Sequence, residues 1–193
     1  MNARVNAPNV AVVVGNPKPQ SRTLAAATLL ARELCAGLRP AGATAAEQGA
    51  PDLAVDLAEW GPRLLDWADE EVAALVAAVA AADLVVVATP TYKASFTGLL
   101  KLFLDRFGAG SLQGVAVPLM LGGSPAHGLA PEFTLRPVLT EISSTSPAKG
   151  LYVVDSSHDD PAAYADWLTT NRPAVQALVA ARVAARNRTE EPA

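Results

Sequence analysis

The sequence predicts an α/β fold in which a parallel sheet is covered by helices on both faces. Short apolar runs rich in valine alternate with helix-length segments along the 193 residues, and each run ends in glycine, proline or hydroxyl-bearing residues. Strands that alternate with helices form βαβ units, whose strands are parallel and buried on both faces. The length favours one domain, which we predict over residues 1–186, followed by a charged tail over 187–193.

The first half of the chain is predicted to contain three strands and two helices. The strands are apolar or alternating runs at residues 10–14, 53–57 and 84–88. The first helix, 23–38, is rich in Ala, Leu, Arg and Glu, and the second, 69–82, begins with acidic residues that complement the helix dipole. Residues 39–51 are low in complexity and are expected to form a surface loop.

The second half is predicted to contain helices and strands in the same alternation. Its predicted elements are a helix at 97–107, a strand at 115–121, a helix at 131–142, a strand at 151–154 and a helix at 161–186. Pro118 is awkward inside a strand because it has no N–H to donate. Pro137 removes the hydrogen bond to the carbonyl of Phe133, so a kink or bulge is expected there, and a break is expected at Pro173.

Five strands in this arrangement suggest the flavodoxin-like three-layer sandwich, with a parallel sheet of order 2-1-3-4-5. In such sheets ligands bind beyond the carboxyl ends of the strands, at the switch point between the first and third strands. The loops after the first, third and fourth strands are therefore the candidate site.

Composition and charge exclude several classes of function. A net charge of -4 argues against binding to nucleic acid or to an acidic membrane. The longest apolar stretch, 72–88, is interrupted by Asp83 and falls short of the roughly 20 residues that a membrane helix needs. The lone Cys35 cannot form an intramolecular disulfide and is expected in the core. We expect a cytoplasmic protein.

No metal site is predicted. His158, Asp159 and Asp160 are adjacent in the sequence, and adjacent side chains rarely converge on one ion. Asp160 as the N-cap of a helix that has Pro161 in its first position explains the run.

The loop after the first strand has the features of a phosphate site. It opens a helix, whose N-terminus offers unpaired N–H groups and a positive dipole end. Its polar and charged side chains are those of Asn16, Lys18, Ser21, Arg22 and Thr23. Neither the Walker A pattern nor the G-x-G-x-x-G pattern of dinucleotide sites is present. The alternative is that Ser21 simply caps the helix.

The loop after the third strand could form a platform for a flat heterocycle. Pro90 stiffens the exit from the sheet, and backbone N–H groups from Thr91 onward would line the crevice beside the ring of Tyr92, with Lys93 next to it. The alternative is an ordinary loop in which Thr97 caps the next helix.

The loop after the fourth strand allows a ligand close to its backbone at Gly122 and Gly123. Ser124 and His127 superficially suggest a hydrolase, but the G-x-S-x-G pattern is absent and Pro125 cannot supply an oxyanion-hole N–H. We interpret His127 as a polar ligand contact or a residue that fixes the loop.

Together the three loops, with the later pieces 135–139 and 150–155, resemble the NADPH-dependent FMN reductase family of flavodoxin-like folds. The likeness is greatest to flavin reductases that serve two-component monooxygenases, such as the alkanesulfonate system. The resemblance implies that Ser21, Arg22 and Thr23 bind the FMN phosphate. It also implies that the isoalloxazine is lined by Pro90, Thr91, Tyr92 and Lys93, with Gly122, Gly123 and Ser124 along its other edge.

The chain departs from the family pattern at three positions. Asn16 stands where the family commonly has Ser, Lys18 stands where Arg is usual, and Phe133 lies near a Tyr of relatives dedicated to monooxygenases. The resemblance also implies a homodimer or homotetramer, with the helix that contains Pro137 packed between subunits.

The implied activity is hydride transfer from NADPH or NADH to FMN. The flavin itself performs this chemistry, so no catalytic side-chain acid or base is predicted. Two alternatives remain open at this point: a reductase of quinones, azo dyes or metal oxyanions that keeps its FMN bound, and a flavodoxin-type electron carrier.

Overall fold

The computed structural model describes residues 7–39 and 50–190 and contains one parallel sheet. Its strands are β1 (Val10–Val14), β2 (Leu53–Asp56), β3 (Leu84–Pro90), β4 (Leu112–Gly122), β5 (Ser143–Thr145) and β6 (Leu151–Val154). The order is β2-β1-β3-β4, with both β5 and β6 paired to β4. The predicted order 2-1-3-4-5 is confirmed, and two short strands share its fifth position.

Within residues 7–39 and 50–190, five α-helices cover the two faces of the sheet. They are α1 (Arg22–Cys35), α2 (Glu70–Ala81), α3 (Gly98–Leu104), α4 (Arg136–Ile142) and α5 (Ala162–Glu190). Even-numbered residues of β1 pack in one buried cluster with α1 and α5, whereas odd-numbered residues pack in a second cluster with α2, α3 and α4. The alternation of side chains along each strand thus produces the predicted three layers. Among the described residues, no helix is long and apolar enough to cross a membrane.

Side-chain caps begin the helices close to where the sequence predicts. Ser21 accepts a hydrogen bond from Leu24 N, Asp69 accepts from two backbone N–H groups, and Thr97 accepts from Leu100 N. Cys35 is buried in the core, as predicted, and burial raises the pKa of its thiol to about 11. Of the predicted surface loop 39–51, residues 40–49 lie outside the described residues.

Pro118 lies inside β4 at a place where the strand changes partners. Successive residues of a strand point their backbone groups to opposite sides, and Val115 N and Leu121 O both face the β3 side. The nitrogen of Pro118 therefore faces the other side. There, β4 pairs with β5 up to Val115 and with β6 from Leu119 onward, so no regular ladder bond is lost.

The bulge expected around Pro137 is present as a π-helical turn over Pro131–Leu135. Arg136 N bonds to Pro131 O, five residues back, because Pro137 cannot continue the α-helical pattern from its nitrogen. Glu132 ties this turn to the segment before β6, since its carboxylate accepts from Gly150 N at 2.8 Å and pairs with Arg136.

The break predicted at Pro173 is wrong. α5 runs without interruption from Ala162 to Glu190 and so extends beyond the predicted end at residue 186. Pro173 has no N–H to donate to the carbonyl of Thr169, which is exposed like Pro173 and can be hydrated. Buried Leu168 and Val175 hold the helix on the sheet on either side of the proline.

Glu132→Gln tests the role of this carboxylate in holding the π-helical turn. The hydrogen bond from Gly150 N–H, with Arg136 beside it, lowers the pKa of Glu132 below its ordinary 4.5, against the opposing effect of burial. The folded state is therefore stabilised by this carboxylate at pH values above 4.5, and the stabilisation is lost as the pH falls through the lowered pKa.

We expect Glu132→Gln to reduce the free energy of unfolding by about 1 kcal/mol near neutral pH, with the gap to wild type closing in acid. Chemical denaturation across the acid range measures this, and Glu141→Gln, which changes an exposed carboxylate of α4, is the control. A gap that stays constant as the pH falls would contradict the assignment.

Candidate functional site

The first and second candidate loops are joined at Gly15, the residue that follows β1. Gly15 N donates to Ala88 O at 2.8 Å, and the hydroxyl of Thr97 donates to Gly15 O at 2.6 Å. A Cβ atom at this glycine would lie 2.4 Å from Leu100 Cβ. Only glycine therefore lets the end of β1 pass this close to the start of α3.

The first loop is held in place by its own polar side chains. The Asn16 side chain donates to Thr23 Oγ1 and accepts from Lys18 N, both at 2.9 Å. Gln20 has a positive φ of 49° and donates its N–H to Asp56 Oδ2 at 2.8 Å. Asn16 and Thr23, both predicted to bind the cofactor, thus shape the loop that leads into α1.

The N-terminus of α1 carries cationic side chains toward solvent. Ser21 is nearly buried and its hydroxyl oxygen lies 3.4 Å from Leu24 N, so it caps the helix as the alternative interpretation has it. Lys18 and Arg22 are exposed. Arg22 Nη1 lies 2.5 Å from Asp155 Oδ2, at the end of β6. The loop therefore combines a helix N-terminus with two cations, the arrangement that binds anions.

The second loop contains a tight turn with an unusual backbone. Tyr92 and Ser95 exchange two backbone hydrogen bonds of 2.9 and 3.1 Å. Between them Lys93 and Ala94 have φ values of 51° and 64°, the left-handed region, which costs about 1 kcal/mol for each residue. The turn leaves Tyr92 53% exposed.

The second and third loops lie side by side. Thr91 N donates to Leu121 O at 2.6 Å, and a Cβ atom on Gly122 would lie 3.4 Å from Thr91 Cβ. The hydroxyl oxygen of Thr91 is buried, and no described residue offers it a hydrogen-bond partner. A buried hydroxyl without a partner is costly, so Thr91 is suited to a polar ligand atom at this junction.

Tyr152 positions the third loop. Its hydroxyl donates to Ser124 O at 2.6 Å, and a Cβ atom on Gly122 would come within 2.1 Å of that hydroxyl. Ser124 Oγ accepts from Ala126 N at 3.3 Å, and His127 is exposed. No hydrogen bond joins Ser124 to His127 among the described residues.

The structure brings the residues predicted on all three loops to one edge of the sheet. Sequence reasoning missed the residues that connect them. Tyr152 and Asp155 lie in and just after the last strand, at the same carboxyl edge, and this placement was the signal that could have identified them. Asp56 lies in the equivalent position on β2. Thr97 caps α3, as the sequence predicts, and its hydroxyl also donates to Gly15 O, a contact that no local pattern indicates.

Comparisons with known proteins agree on one family. The model of the family described as NADPH-dependent FMN reductase matches residues 8–159. A protein named FMN reductase (NADPH) from Pseudomonas putida KT2440 is 41% identical over 101 residues, covering 52% of this chain and 49% of that protein. The NADH-dependent FMN reductase SfnE of Pseudomonas putida is 31% identical over 157 residues, covering 79% and 80%.

A solved structure of an FMN oxidoreductase has a similar fold. The apo form of the NADH:FMN oxidoreductase EMOB superimposes with a TM-score of 0.68 at 26% identity, over 96% of this chain and 92% of that chain. The chain spans about half the length of the first curated relatives that it matches.

The adjacent glycines of the third loop provide a matched test of its packing. Gly122→Ala is expected to reduce the free energy of unfolding by about 1 to 3 kcal/mol, because the new methyl group displaces the Tyr152 hydroxyl. Gly123→Ala is expected to cost less than about 0.5 kcal/mol, since nothing lies within 4 Å of its Cβ position.

Thermal and denaturant unfolding measure both variants. Adding Tyr152→Phe to Gly122→Ala removes the clashing oxygen and is expected to recover part of the loss. Equal effects of the two alanine substitutions would contradict this packing.

Proposed function

The chain belongs to the NADPH-dependent FMN reductase family, and on that premise we propose that it transfers a hydride from NADPH or NADH to FMN. The observation that carries the proposal is the buried, unpartnered hydroxyl of Thr91 at the junction of the second and third loops. It lies on the same sheet edge as the cationic N-terminus of α1, and a flavin ring bound along that edge would offer it a polar atom.

The residues present fit FMN at both of its ends. Ser21, Arg22 and the free N–H groups at the start of α1 suit the phosphate, and Lys18 adds a second cation. Thr91 and the exposed ring of Tyr92 suit the heterocycle. The close packing around Gly122 leaves backbone, not a side chain, beside Thr91.

FMN, when bound, supplies the redox chemistry by accepting a hydride and passing electrons on. The protein's own residues bind, orient and balance charge. Tyr92 would offer a face for the nicotinamide or the flavin, and Lys93 would stabilise negative charge on the reduced ring. The backbone N–H groups of Thr91, Tyr92 and Ser95 are bonded within the protein, so this role belongs to the lysine side chain. Lys18 and Arg22 would also attract the phosphates of the pyridine nucleotide. Each residue here binds or stabilises charge, so no side chain needs to act as an acid or base.

The remaining parts of the proposal concern partners. The protein would supply reduced FMN to a partner monooxygenase. Leu129 and Phe133 are four residues apart, the first just before the π-helical turn and the second within it. They are 68% and 71% exposed, which supports a homodimer or homotetramer packed through this surface. The acidic net charge and the single, buried thiol are consistent with a cytoplasmic protein.

The activity is tested by mixing the purified protein with NADPH or NADH and varying the FMN concentration. The near-ultraviolet absorbance of the nucleotide measures its oxidation. We expect the rate of oxidation to saturate as the concentration of free FMN rises. Turnover only with a quinone, azo dye or metal oxyanion would favour a reductase that keeps its flavin. Binding of FMN without oxidation of either nucleotide would favour an electron carrier.

The phosphate assignment is tested by Ser21→Ala combined with Arg22→Ala. Hydrogen bonds to a charged phosphate are worth enough that we expect the FMN dissociation constant to rise about tenfold or more. Flavin fluorescence titrations measure it, and riboflavin, which lacks the phosphate, should bind both proteins equally. Arg32→Ala changes an exposed ion pair on the same helix and is the control. An unchanged FMN affinity would show the assignment to be wrong.

A further inference from the structure

The ion pair between Arg22 and Asp155 crosses the carboxyl edge of the sheet. Arg22 is the first residue of α1, after the β1 loop, whereas Asp155 follows β6, and β3 and β4 lie between those strands. Arg22 Nη1 lies 2.5 Å from Asp155 Oδ2, and the two side chains are 61% and 39% exposed. The guanidinium best placed to meet a phosphate at the start of α1 is therefore held by a carboxylate.

A second carboxylate near this loop has a different role. Asp56 is buried and accepts from the backbone N–H groups of Gln20 and Ala58, so it shapes the first loop. Among the described residues, the hydrogen-bond partner of the Asp155 carboxylate is Arg22. Its charge is thus directed at the phosphate-binding cation and not at the backbone of the loop.

We propose that Asp155 sets the affinity for FMN by competing with the flavin phosphate for Arg22. This inference rests on the proposed function. A phosphate monoester carries close to two negative charges at neutral pH, and it can take the guanidinium only by displacing or sharing it with the carboxylate. Asp155 thereby weakens FMN binding and favours release, as a protein that hands reduced FMN to another enzyme requires.

Asp155→Asn is the direct test, because it removes the charge and keeps the shape. We expect the FMN dissociation constant to fall about three- to tenfold, and the effect to shrink at high salt. Riboflavin has no phosphate, so its dissociation constant should not change. Glu33→Gln, which neutralises the partner of Arg32 further along α1, should alter neither constant.

The Arg22→Ala background tests whether the carboxylate acts through the guanidinium. In that background the gain in FMN affinity from Asp155→Asn should shrink to less than about twofold, because the guanidinium for which carboxylate and phosphate compete is gone. An undiminished gain in that background, an unchanged FMN affinity of Asp155→Asn, or a weaker one would each overturn the competition.

Flavin binding by the wild-type protein separates a failure of the competition from a failure of the proposed function. A wild-type protein that binds neither flavin, or binds FMN no more tightly than riboflavin, overturns both the phosphate site and the competition. A wild-type protein that prefers FMN, combined with an Asp155→Asn variant of unchanged FMN affinity, overturns the competition alone.

Discussion

The close passage of Gly15 over the start of α3 is the constraint on which the candidate site depends. The backbone of this residue bonds on one side to the end of β3 and on the other to the hydroxyl that caps α3. Because a Cβ atom would overlap Leu100, the first and second loops can meet only if this residue is glycine. The N-terminus of α1 is thereby brought beside the loop that carries Thr91 and Tyr92.

The loops at this edge are organised by bonds within the protein before any ligand is considered. Asn16, Asp56 and Tyr152 each bond to a loop atom, and the two left-handed residues 93 and 94 are held by a pair of backbone bonds. Strain of that kind persists where surrounding contacts over-determine the backbone. Preorganised loops lose less conformational entropy when a ligand binds, so less of the contact free energy is offset by ordering.

The sequence predicted the strands and helix starts well where a local signal decided them. Val10–Val14 is continuously buried, and Ser21, Asp69 and Thr97 cap helices through contacts three residues away or less. The prediction from sequence failed where contacts with distant parts of the chain determined the local structure. β5 is a short polar run without an apolar pattern, and the exposed position of Pro173 let α5 continue. Likewise, the Arg22–Asp155 pair joins residues 133 apart, so no local pattern indicates it, whereas the three loops were identifiable because glycine, proline and hydroxyl residues follow strands.

The central claim is that FMN binds along this edge with its phosphate at the start of α1. A crystal structure of the protein with FMN tests it most directly. The account predicts the phosphate within hydrogen-bonding distance of Ser21 and Arg22, with the guanidinium drawn away from Asp155 and the Thr91 hydroxyl bonded to the flavin. Flavin bound elsewhere, or a phosphate that leaves the Arg22–Asp155 pair unchanged and touches neither Ser21 nor Arg22, would contradict it.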